Sequence, residues 1–176
     1  RLPSRQAAQR PGLTQALALM KALLLLWVMG IAILGLPASA QDFDYSAYKD
    51  SSIAAAGSDL GIDPETTWWL DAAHAKFHTI ATFTGKFRPV EPGTKSLIDK
   101  WAVAMGHDPE LAAMFSSEIE VSQDGQLYWL PIQKILVEPL KSEVKPGHET
   151  HLYIILIGAY KLAPVFGVGE FNAAEG

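Results

Sequence analysis

From Phe77 to Phe87 apolar and polar side chains alternate. Phe77, Thr79, Ala81, Phe83, Gly85 and Phe87 share one face of an extended chain, and their neighbours share the other. The residues are β-branched and aromatic, so the pattern predicts a strand over about 78–88, stopped by Pro89. Upstream, Asp63-Pro64-Glu65 reads as a helix start: a capping carboxylate, a proline at the first helical position and an acid near the positive end of the helix dipole. That helix would run to about Lys76 and carry Trp68, Trp69, Leu70 and Ala73.

Downstream the period returns to that of a helix. Thr94 caps residues 95–105, with Leu97, Ile98, Trp101 and Met105 on one side and Gly106 at the end. Asp108-Pro109-Glu110 starts a further short turn of helix. In "SEIEVSQDGQLYWL", β-rich runs over 117–122 and 126–130 flank Asp124-Gly125, a dipeptide suited to the positive φ angles of a type I′ hairpin. Ile132, Leu136 and Leu140 then recur at spacing four, joined by Ile135 and Val144, which predicts a helix that Pro139 should kink or split. After the Lys145-Pro146-Gly147 turn, strands over 151–160 and 165–171 form a closing hairpin around "KLAP". Leu152–Ile157 is apolar throughout, as in a central strand covered on both faces.

This order predicts an α+β fold: a curved five-stranded antiparallel sheet or a partly open, OB-like barrel, with helices packed on one side. The comparison is one of element order and does not fix function. Residues 63–176 form a single domain. Residues 41–62 are small and polar and form a lead-in, with a short helix around Tyr45–Ala56 ended by Gly57.

The leader changes the picture. Met20-Lys21 precedes an uncharged apolar run, Ala22–Leu36, then Pro37 and Ala38-Ser39-Ala40. These are the parts of a secretory signal, with cleavage expected between Ala40 and Gln41. The competing reading is an uncleaved anchor, the only membrane contact expected. Residues 1–19 precede the expected start and are set aside. Export points to a periplasmic or secreted protein. With no cysteine in 176 residues, the domain must hold together without disulfides, and thiolate metal sites and thiol catalysis are excluded. Four of the 14 basic residues and none of the 19 acidic ones precede Gln41, which leaves a formal charge of −9 and one arginine, Arg88. Such a surface repels nucleic acid.

Candidate chemistry is sparse. His148-Glu149-Thr150-His151 is one residue short of the helical H-E-x-x-H zinc motif, and at the start of a strand it reads as solvated residues. Asp71, His74 and His78 would line one face of a continuous helix at metal-ligand spacing, but the expected helix ends between the two histidines. Glu118 and Glu120 share a strand face, read as solvated and not as a catalytic carboxylate pair. In Trp68-Trp69 and Tyr128-Trp129 one ring of each pair should face the core and its neighbour point elsewhere. Trp68, Tyr128 and Trp129 are therefore the candidate ligand-binding residues.

No phosphate-binding loop, dinucleotide fingerprint or nucleophile elbow is present. No catalytic residue, metal or cofactor is assigned. The sequence points to an exported, non-catalytic domain that binds an unidentified protein or small molecule in the cell envelope. The alternative is a metal-dependent hydrolase using His74, His78, His148 and His151. A third reading is a purely structural envelope component.

Overall fold

The computed structural model describes residues 43–174 apart from 59 and 64, so the leader and its cleavage site lie outside the described residues. The fold is α+β. Seven strands form one sheet: β1 (Lys49–Asp50), β2 (Trp68–Leu70), β3 (Lys76–Pro89), β4 (Phe115–Gln123), β5 (Gln126–Gln133), β6 (Glu149–Tyr160) and β7 (Ala163–Ala173). Among the described residues four α-helices accompany them: α1 (Ile53–Ala56), α2 (Pro92–Ala104), α3 (Pro109–Ala113) and α4 (Lys134–Glu143). The expectation of five antiparallel strands is therefore corrected. Two short strands are added, and β1–β3 and β5–β7 pair in parallel.

The longest strand serves two partners. Lys76–Thr82 of β3 pairs with β6, and Thr82–Pro89 pairs with β4. The switch comes at Thr82, and a register irregularity in the β3–β4 pairing follows between Phe83 and Phe87, where Gly85 sits at φ 86. A bulge of this kind bends a strand, and glycine takes that φ without a Cβ penalty. Pairing continues from β4 to β5, β7 and β6, and from β6 back to β3.

Side chains pointing into this ring make the main core, including Phe83, Ile119, Val121, Leu130, Ile132, Leu152, Ile154, Phe166 and Val168. Each large apolar side chain taken fully out of water contributes about 1.5–3 kcal/mol before chain entropy is subtracted. Within β6, Leu152, Ile154 and Leu156 enter this core, whereas Ile157 belongs to a second cluster with Leu97, Ile98 and Trp101 of α2. The apolar run is thus a central strand, buried along its inward row, while Tyr153 and Ile155 on the other face are half-buried. The helices, however, are not confined to one side: α4 and α1 add Leu136, Leu140 and Ile53 to the main core, while α2 and α3 build the second cluster.

Both hairpins form as expected. Asp124 and Gly125 take φ 52 and 78, and the 160–163 connection is a two-residue turn in which Lys161 and Leu162 take φ 51 and 66. Ile132 lies in β5 instead of opening a helix, and α4 runs through Pro139 as one element. Helix α2 starts three residues earlier than Thr94 would set, capped by Glu91, whose carboxylate accepts from the Thr94 amide.

The helix expected from Asp63 to Lys76 is absent. Trp68, Trp69 and Leu70 pair instead with Tyr160, Ala159 and Gly158 of β6. The Asp63 carboxylate accepts from the Glu65 amide and its carbonyl from the Thr66 amide, and the Asp71 carboxylate accepts from the amides of Ala73 (3.1 Å) and Ala75 (2.7 Å), which closes a turn between β2 and β3. Carboxylates that capture nearby amides favour turns over helix interiors.

Residues 44–57 form a strap of three pieces, not one helix: a 3-10 turn at Tyr45–Ala47, then β1, then α1. Gln123 fastens it. Its side-chain oxygen accepts from the Ile53 amide (2.7 Å), and its nitrogen donates to Thr79 Oγ1 (2.8 Å) and the Ile80 carbonyl (2.6 Å).

Candidate functional site

The outward face of β3–β4–β5 carries the densest chemistry. Glu118 and Glu120 are 2% and 5% exposed, so the expectation of a solvated pair is corrected. A carboxylate is retained at such burial only with compensating partners. Arg88 Nε donates to Glu118 Oε2 at 2.5 Å, and Lys86 Nζ lies 2.8 Å from Glu120 Oε1. The hydrogen bond from Lys86 holds the Glu120 carboxyl below its usual range, helped by the Thr84 hydroxyl and opposed by burial. The Arg88 guanidinium also lies 4.1 Å from the centre of the Trp129 ring, a cation–π contact, and Trp129 stands opposite Glu120 in the register. Leu127, two residues before Trp129 on the same face, is exposed. The surface thus offers cationic donors on partly exposed arms, buried acceptors beneath them and an aromatic ring beside them.

The other two candidate binding aromatics are elsewhere. Tyr128 stands opposite Val121, on the inward row, and packs against the main core. Trp69 likewise packs on the core. Trp68 is exposed, with Lys100 Nζ 5.7 Å from its ring centre. It lines a shallow groove of about 420 Å³ between β2 and α2, with Leu70, Lys100 and Val103. Neither Tyr128 nor Trp129 lines that groove.

The histidines divide differently from the sequence grouping. His74, at φ 53 in the Asp71 turn, packs against Trp101 and His107. The Trp101 indole nitrogen there is buried and has no hydrogen-bond partner among the described residues. His148 is exposed in the turn before β6. His78 and His151 meet across β3 and β6, with His78 Nε2 2.9 Å from His151 Nδ1, and His78 Nδ1 lies 2.6 Å from Asp50 Oδ1. The sequence spacing instead grouped His78 with His74 and His151 with His148, and joined all four only in the hydrolase alternative. His78 and His151 lie 73 positions apart, and only the β3–β6 register brings them together. The hydrolase cluster does not assemble: His74 and His148 keep other company. Among the described residues no group of three or more His, Cys, Asp or Glu side chains is placed to hold a metal ion. Sequence reading also missed the roles of Arg88, Lys86 and Asp50. The one available signal was the alternation that puts Lys86 and Arg88 on a single face of β3.

Neither a family model, nor a curated protein, nor a solved structure matches this chain. Among the described residues no helix is long and apolar enough to cross a membrane.

Proposed function

We propose that the chain is an exported, non-catalytic binding domain of the cell envelope, built on an OB-type ring of strands to which β1 and β2 are added. The leader, Met20–Ala40, supports export to the periplasm or beyond. OB-type barrels bind oligosaccharides and oligonucleotides across their second and third strands. Counted round this ring, those strands are β4 and β5, and the Arg88–Trp129 stack over buried Glu118 is the observation that carries the reading.

The acidic balance of the chain disfavours a polyanionic ligand. Two cations matched by two carboxylates offer donors and acceptors with little net charge, which suits a neutral polyhydroxylated ligand lying against the indole. Chitohexaose, a soluble β-1,4-linked aminosugar chain, is the probe. Titration calorimetry should show saturable binding that weakens at least tenfold in Trp129→Ala, with the melting temperature retained. No binding, or equal binding by Trp129→Ala, would contradict the proposal.

A further inference from the structure

We propose that Asp50, His78 and His151 form a proton-operated latch that holds the N-terminal strap against β3 and β6. This inference is independent of the ligand face. The His78 and His151 ring planes differ by 6°, their centres are 5.1 Å apart and the facing nitrogens are 2.9 Å apart. The centres are further apart than the nitrogens by about one ring width, so both nitrogens lie close to the line joining the rings. Two lone pairs opposed head-on at this distance leave room for a proton. A metal ion on that line would need about 2.0–2.1 Å to each nitrogen, which is wider than the gap.

The bonding order follows from the donor inventory. The Asp50 carboxylate only accepts, so His78 Nδ1 donates to it and His78 Nε2 becomes the acceptor for His151 Nδ1. A first added proton settles on the outer nitrogen of His151 and leaves both bonds intact. A second must go to His78 Nε2, where two N–H groups and two like charges then face each other. The 2.9 Å contact cannot survive that state.

The strap sits directly on the pair. The Ser51 amide donates to the His78 carbonyl at 2.9 Å, and β1 pairs with Phe77 and His78. His78 stacks on Tyr153, whose ring meets Tyr45 and Tyr48 edge-on. The charged groups on the surrounding elements are Asp44, Lys49 and Asp50 on the strap, Lys76 on β3, Glu149 on β6 and Glu170, opposite Tyr153, on β7. Histidine is the side-chain type whose ordinary titration falls between pH 5 and 8. Acidification far enough to add the second proton therefore parts the rings, frees Tyr45–Ser51 and uncovers Tyr153 and the edge of β3.

The test is hydrogen exchange by NMR on the purified protein at pH 7.5 and 5.0, corrected for intrinsic rates. Protection of the Ser51 amide should fall at least tenfold at the lower pH, while Ile154 in the core stays protected. In His151→Gln, whose amide donates to His78 without titrating, Ser51 should stay protected at both. Equal protection of Ser51 at both pH values in the unaltered protein would overturn the latch. So would loss of Ile154 protection in step with Ser51, an equal fall in His151→Gln, or one equivalent of zinc shifting both imidazoles at pH 7.5.

Discussion

Arg88 holds a carboxylate that has almost no access to water, and the consequence is unequal for the two partners. Replacing Arg88 with Met leaves Glu118 buried and uncompensated, whereas Glu118→Gln removes the charge and keeps the shape. Arg88→Met should cost about 2–3 kcal/mol in urea unfolding, discounted from a fully buried pair because Arg88 is itself 43% exposed, and Glu118→Gln should cost less. Glu120 gives a pH signature. Its carboxyl is depressed in the fold, so its contribution is present above the ordinary carboxylate range and is lost as pH falls through the lower folded value. Lys86→Gln removes the largest cause of that depression, so its melting temperature should fall less steeply on acidification below about pH 4 than that of the unaltered protein. Alternation along the strand made the shared face of Glu118 and Glu120 legible. Their burial was not legible, because it depends on Arg88, 30 positions away.

Turns and strands differ in how much of their cause is local. The Asp124-Gly125 hairpin could be read because both residues suit positive φ. The second hairpin places Lys161 and Leu162 at positive φ without that help, and Leu162 is exposed. Leu162→Gly should stabilise the protein by about 0.5–1 kcal/mol, measured by thermal unfolding, because the strain there exceeds the entropy glycine adds to the unfolded chain. Strand β2 shows the opposite case. Its sequence carries helix-start chemistry, yet β6 supplies a partner edge, and tertiary pairing overrides local preference. Gly158 makes that pairing possible: at φ 155 on β6, it would bring any Cβ to 2.0 Å from the Trp69 carbonyl oxygen. Gly158→Ala should therefore detach β2, seen as faster amide exchange at Trp69 and a changed Trp68 fluorescence, at a cost of about 2 kcal/mol or more.

At the scale of the molecule, one long strand with a glycine bulge lets β3 pair with β4 and β6 and returns the sheet to its start. That closure gathers Lys86, Arg88, Glu118, Glu120 and Trp129 on one outward face. Along another stretch of β3 it also brings His78 to His151. Element order from β3 onward was legible in the sequence, and so was the central strand Leu152–Ile157, whereas β2 and the three-piece strap were not. The partner of each strand was not, so neither the charge network nor the histidine pair could be found before the register was known. The central claim is that recognition takes place on the outward face of β3–β4–β5. Its most direct test is an amide and indole chemical-shift map of the purified protein titrated with chitohexaose. The account predicts that the largest shifts fall on Lys86, Arg88, Leu127 and Trp129. Shifts confined to the Trp68 groove or to His78 and His151, or none at saturating probe, would contradict it.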